Sequence, residues 1–266
     1  MSDVSFSGFG RIESAFRTKR AAGRKLLVPF ITAGMTDNWV DYVHAIAAAG
    51  ADAIEIGVPF SDPMMDGPVI QSASTIALHR GTTPSSVLSD IRAFDGSVPL
   101  VAMTAYNLAF RAGDERFASM LAEAGFSGTI LPDLQLDEAS SWMRVAASHS
   151  IENVLLVAPT TPDGRLKRIC DASRGFVYGV GTMGVTGERA SLAASARTIA
   201  TRLKAATDRP VLVGIGVSNA DQAVEISHAC DGAIVGAALV RRLLEGASPS
   251  EIGSFVGELR AGLDSI

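Results

Sequence analysis

The sequence predicts an α/β fold, a (β/α)8 TIM barrel in a single domain over residues 1–266 with an extra helix ahead of the first strand. Three observations point there: eight short runs rich in Val, Ile and Leu, a helical stretch following them in alternation, and 266 residues with no low-complexity linker. The runs show little polar alternation, which is how parallel strands covered on both faces read. Eight such units in about 250 residues match the count and length of a closed barrel. A doubly wound sheet is the alternative, although it usually has fewer strands.

Val4–Arg20 reads as the extra helix, a plug for the barrel floor. The strands follow as Leu26–Thr32, Ala53–Gly57, Pro99–Met103, Gly128–Leu131, Val154–Val157, Phe176–Val180, Val211–Ile215 and Ala233–Val235. The helices read Trp39–Ala49, Ser85–Phe94, Glu115–Ala124, Glu138–His149, Gly164–Ala172, Arg189–Ala206, Asp221–Ala229 and Ser250–Leu263, with a further one near Val69–His79 in the longest gap. Thr83-Pro84 and Ser218-Asn219 are capping candidates.

Composition narrows the function. With 28 acidic against 23 basic residues, net charge is −5, and a basic nucleic-acid footprint is not expected. Cys170 and Cys230, the two cysteines, make no disulfide framework and fit a reduced setting. Met1–Arg11 lacks the pattern of a signal peptide, and no run of about 18 apolar residues spans a membrane. A cytoplasmic protein is the expectation.

Barrel chemistry sits at the C-terminal strand ends, so the loops there carry the candidates. The second strand ends Ile54-Glu55-Ile56-Gly57, and its loop holds Asp62 and Asp66. A carboxylate in an apolar strand is costly to bury; Glu55 is either satisfied by a neighbouring polar group or catalytic. Asp62 before Pro63 and Asp66 before Gly67 fit turn chemistry as well as function. Gly179-Val180-Gly181-Thr182-Met183-Gly184 matches a dinucleotide glycine pattern in letters. It lacks the helix that should open at its last glycines, so a glycine-hinged lid over Gly179–Gly187 is the better reading. Glycines end strands seven and eight, at Gly214, Gly216 and Gly236, where barrels often hold phosphate on backbone N–H groups. Turn glycine is the alternative there.

None of the four lysines sits at a strand's C-terminal end, which disfavours a Schiff-base aldolase. The four histidines fall on or beside helices, and no cluster has metal-ligand spacing. Neither metal nor cofactor is expected. What remains suits proton transfer on a phosphorylated metabolite, by a lyase or an isomerase.

The 14 residues Glu55–Pro68, read as Glu-Ile-Gly-Val-Pro-Phe-Ser-Asp-Pro-Met-Met-Asp-Gly-Pro, closely resemble the signature of the tryptophan synthase alpha chain family. Pro29–Gly34, Met103–Asn107, Pro132-Asp133-Leu134, Ala158–Pro162, Gly184–Gly187 and Val235-Gly236 resemble its other motifs in order. The resemblance implies a β/α barrel that splits indole-3-glycerol phosphate into indole and glyceraldehyde 3-phosphate. It implies that Glu55 shuttles the protons, and that Asp66 accepts the indole N–H and balances charge developing on the ring. Thr186 matches the lid residue that closes onto the Asp66 loop. Gly187, Gly214, Gly216, Gly236 and Ala237 match the phosphate-binding backbone, and Tyr178 lines the site behind Glu55. The chain departs from the family at Ala105, where Tyr is usual, and at Ala237, where Ser is usual; Tyr106 should point elsewhere. A tryptophan synthase beta chain, in an alpha2-beta2 heterotetramer, is the implied partner. A free-standing lyase, an alpha-like activator without chemistry of its own, and a non-indolic phosphosugar isomerase are the alternatives. Retention of both Glu55 and Asp66 argues against the activator.

Overall fold

The computed structural model describes residues 8–181, 189–214 and 216–266. Eight parallel strands close into a barrel in chain order: β1 (Leu26–Thr32), β2 (Ile54–Gly57), β3 (Leu100–Met103), β4 (Phe126–Ile130), β5 (Glu152–Val157), β6 (Val177–Val180), β7 (Val211–Gly214) and β8 (Gly232–Val235). Closure is made by β8 on β1, with Leu26 opposite Gly232 and Pro29 opposite Val235, which excludes an open doubly wound sheet. A Cβ at Gly232 would overlap the Leu26 carbonyl, so the seam needs glycine.

Strand alternation builds two cores. Leu26, Val28, Ala53, Val101, Val154 and Leu212 fill the barrel interior. Leu27, Ile31, Ile54, Ile56, Val211 and Val213 face outward, into the layer beneath the helices. That double burial explains why the strands read as unbroken apolar runs.

The helices are α1 (Arg11–Ala21), α2 (Trp39–Ala48), α3 (Pro68–His79), α4 (Pro84–Asp90), α5 (Tyr106–Ala112), α6 (Asp114–Glu123), α7 (Ser140–Ser148), α8 (Asp163–Ala172), α9 (Arg189–Ala206), α10 (Ala220–Ser227), α11 (Ala237–Leu244) and α12 (Pro249–Leu263). Among the described residues no helix is long and apolar enough to cross a membrane. Thr83 caps α4 in a reciprocal pair with Ser86, and the Asn219 side chain accepts from the Gln222 N–H at the start of α10.

Helix α1 is the expected plug; it starts at Arg11, and the first residues of the expected helix, from Val4 to Ser7, lie outside the described residues. Gly8, at φ +106°, and Gly10 keep the chain out of the helix before Arg11. Ile12 and Phe16 project from α1 into the barrel interior. The N-terminus of α1 is capped from across the floor: Glu152 accepts the N–H of Ile12 at 2.6 Å and of Glu13 at 3.0 Å. The stretch Ser85–Phe94 divides into α4 and a single 3₁₀ turn, Ile91–Ala93.

Helices α5 and α11 are not foreseen by the sequence. Each is short, and neither has a side-chain cap at its N-terminus. Helix α11 also opens on Ala-Ala-Leu-Val, which reads as an extension of β8. It is a helix because Ala238, Leu239, Val240 and Leu243 make a buried face while Arg241 stays outside.

Candidate active site

At the C-terminal mouth of the barrel lies a cavity of about 420 Å³. It brings together Glu55, Asp66, Tyr178, Gly214, Gly216, Gly236 and Ala237 from four separate strand ends and their loops. Two further residues that the sequence singled out, Thr186 and Gly187, lie outside the described residues.

Glu55 reaches the cavity because β2 alternates. Its neighbours Ile54 and Ile56 belong to the outer core, so Glu55 points inward, level with Val101 of β3. It is 1% exposed, and its Oε2 is buried with no hydrogen-bond partner among the described residues. Asp52, three residues earlier and equally buried, is the contrast. It accepts from Lys19 at 2.8 Å, from Arg260 at 3.1 Å and from the Leu27 N–H at 2.7 Å. Asp52 is thus the satisfied structural carboxylate that Glu55 is not. Burial, and then the nearby charge of Asp66, push Glu55 up to about 8.

Asp66 hangs on the β2–α3 loop. Its N–H donates to the Pro63 carbonyl at 3.0 Å, and its own carbonyl accepts from Gln71 Nε2 at 2.8 Å. The loop is thereby tied to the first turn of α3, which begins at Pro68 in the favoured first helical position. Partial burial raises Asp66 to about 6. At neutral pH Glu55 therefore keeps its proton while Asp66 is mostly ionised. Two carboxylates in one cavity are set apart by their environments, the arrangement that acid–base chemistry requires.

Tyr178 is half-buried in the same cavity wall; desolvation, then the charges of Glu55 and of Asp66, raise its hydroxyl well above the ordinary value. A Cβ at Gly214 would overlap that hydroxyl, so glycine at the end of β7 makes room for the ring as well as for a ligand. The remaining wall is apolar, with Phe30, Ile70, Met103, Pro132, Leu156 and Ile234 able to hold a flat hydrophobic ring. Of the wall residues, Arg241 was missed; its signal appears only once α11 is recognised as a helix.

A second cavity of about 200 Å³ shares Asp66, Met65 and Phe30 with the first, and Ala105 and Asp62 lie on its wall. Tyr106 does point elsewhere: its hydroxyl donates to Asp114 at 3.1 Å. It starts α5, where its N–H donates to Asp133 at 2.8 Å, so a helix start rather than strand alternation turns it away.

The opposed protonation states predict a bell-shaped profile of kcat/KM with pH. The rate should fall below pH about 6, as Asp66 gains a proton, and above pH about 8, as Glu55 loses one. Steady-state rates between pH 5 and 10 check this; a flat profile would contradict it.

Comparison with known proteins agrees with the barrel fold. The family model described as tryptophan synthase alpha chain matches residues 16–255. The chain is 43% identical over 257 residues to the tryptophan synthase alpha chain of Synechococcus sp. (strain CC9902), covering 94% of this chain and 96% of the relative. It is 42% identical over 252 residues to that of Streptomyces avermitilis, covering 92% and 91%. Among solved structures, tryptophan synthase from M. tuberculosis in space group F222 superposes with a TM-score of 0.89 at 40% identity, covering 96% of this chain and 99% of that one. Tryptophan synthase subunit alpha from Legionella pneumophila str. Paris superposes with a TM-score of 0.89 at 32% identity, covering 97% and 100%.

Proposed function

The chain belongs to the tryptophan synthase alpha chain family, and from that premise we propose that its barrel-mouth cavity binds indole-3-glycerol phosphate and cleaves it through Glu55 and Asp66. The protein is a carbon–carbon lyase of tryptophan biosynthesis. The observation that carries the residue roles is the meeting, in one cavity, of a fully buried Glu55, whose Oε2 has no hydrogen-bond partner among the described residues and whose burial favours the protonated form, with a less buried Asp66 that is raised less.

The chemistry follows from those states. Glu55 gives its proton to indole C3, which turns the ring into a leaving group. Asp66 accepts the indole N–H and balances the positive charge that develops on the ring. The Glu55 carboxylate then takes the proton of the glycerol hydroxyl beside the breaking bond. The electrons of that O–H bond form the aldehyde, and those of the carbon–carbon bond return to the ring. Glu55 ends protonated, as it began, and indole and glyceraldehyde 3-phosphate leave. Positioned proton transfer of this kind is typically worth ~10²–10⁴ in rate.

The partner in this reading is a tryptophan synthase beta chain that consumes the indole. Support comes from the cavity mouth, where Met64 is 91% exposed and Met65 59%. Large apolar side chains grouped at the edge of a site suit coverage by another protein. The loop after β2 stands at this mouth, so a docked chain holds it closed. Adding the cognate beta chain is expected to raise indole production about tenfold or more, a coupling of about 1.4 kcal/mol. Indole release by the purified chain with and without that beta chain measures it. Full activity alone, unchanged by any beta chain, would instead identify a free-standing lyase.

A further inference from the structure

We propose that Arg241 binds the phosphate group of the substrate and sets the preference for phosphorylated over unphosphorylated ligands. The proposal rests on the lyase reading above and adds a residue to it. Arg241 lines the cavity together with Gly214, Gly216, Gly236 and Ala237, and is the one cationic side chain among the described residues that do so. The N-terminus of α11 opens on the same wall, with Gly236 as its N-cap and no side-chain cap. Its unpaired N–H groups and the helix dipole place partial positive charge there.

Geometry directs Arg241 to that point. Ala237 and Arg241 are four residues apart in α11 and share a face. Cα–Cβ bonds in a helix tilt toward its N-terminus, so the long guanidinium stem at Arg241 leans back over the turn that presents the Ala237 N–H. The adjacent Arg242 is committed elsewhere: it donates to the Ala238 carbonyl at 3.0 Å and lies 3.7 Å over the Phe255 ring. Arg241 is exposed and joins none of the ion pairs formed among the described residues.

Charge balance supports the match. A phosphate monoester carries about −1.5 to −2 at neutral pH, and a helix terminus alone offers only about half a positive charge. Ala237 has no hydroxyl to add. A guanidinium supplies a full charge and two parallel donors to phosphate oxygens. The cavity wall then supplies Glu55 and Asp66 for the ring and Arg241 for the anionic tail.

The test replaces Arg241 by Met, which keeps much of the stem, and by Lys, which keeps the charge. Expected for Arg241→Met are a KM for indole-3-glycerol phosphate raised about tenfold or more and a similar loss in the kcat/KM ratio between this substrate and indole-3-glycerol. Binding of glycerol 3-phosphate, read by calorimetry, should weaken by a similar factor, about 1.4 kcal/mol. Arg241→Lys should recover most of each. A folded Arg241→Met protein with unchanged KM, ratio and glycerol 3-phosphate affinity would overturn the assignment. A wild type that makes no indole yet binds glycerol 3-phosphate through Arg241 would overturn the lyase reading and leave the phosphate assignment standing.

Discussion

Glu55→Gln is expected to lower indole formation by ~10²–10⁴, about 3–5 kcal/mol of barrier, while the barrel and its ligand affinity persist. The amide matches the carboxyl in shape but can neither deliver a proton to indole C3 nor remove one from the glycerol hydroxyl. The side chain is wholly buried and its Oε2 has no hydrogen-bond partner among the described residues, so the substitution removes no hydrogen bond seen at that atom. Linkage supplies the control for folding. Because the folded protein holds Glu55 at about 8, above its ordinary value, the stability tied to its proton is present at low pH and lost as pH rises through 8. Glutamine has no such loss, so the variant should melt no lower than the wild type at pH 9. Single-turnover rates and melting curves read the two effects separately. A residual rate within about tenfold of wild type would remove Glu55 from the acid–base role.

Asp66→Asn is expected to cost activity on a comparable scale by another route. An amide carries no charge to balance the cation that develops on the ring, and it presents donors as well as an acceptor to the indole N–H. Gln71 holds the backbone carbonyl of Asp66, not its carboxyl, so the loop should keep its position in the variant. An indole-ring analogue lacking the N–H should be a poor substrate for the wild type and little further affected by the substitution. Equal losses on both substrates would make Asp66 a turn residue with no part in the chemistry.

The strands were legible in the sequence because burial on both faces leaves runs such as Leu26–Thr32 without polar interruption. Glu55 stood out for the same reason, as a charge where the pattern leaves no place for one. Asp66 did not; before Gly67 it reads as ordinary turn chemistry, and only the resemblance of its whole loop gave it a role. Barrel closure was an inference from strand count, since the contact of Gly232 with Leu26 joins the two ends of the chain and leaves no local signal. Glu152 as the cap of α1 is hidden likewise, spanning 140 residues in sequence. Helix α11 was obscured by its apolar opening, and Arg241 with it. Thr186 and Gly187 lie outside the described residues.

The most direct test of the central claim is product analysis of the purified wild-type chain given indole-3-glycerol phosphate. The carboxylate pair and Arg241 on the cavity wall predict indole and glyceraldehyde 3-phosphate in equal amounts, with indole C3 carrying a proton from solvent. A folded protein that binds the substrate and releases neither product, with or without a beta chain, would contradict it.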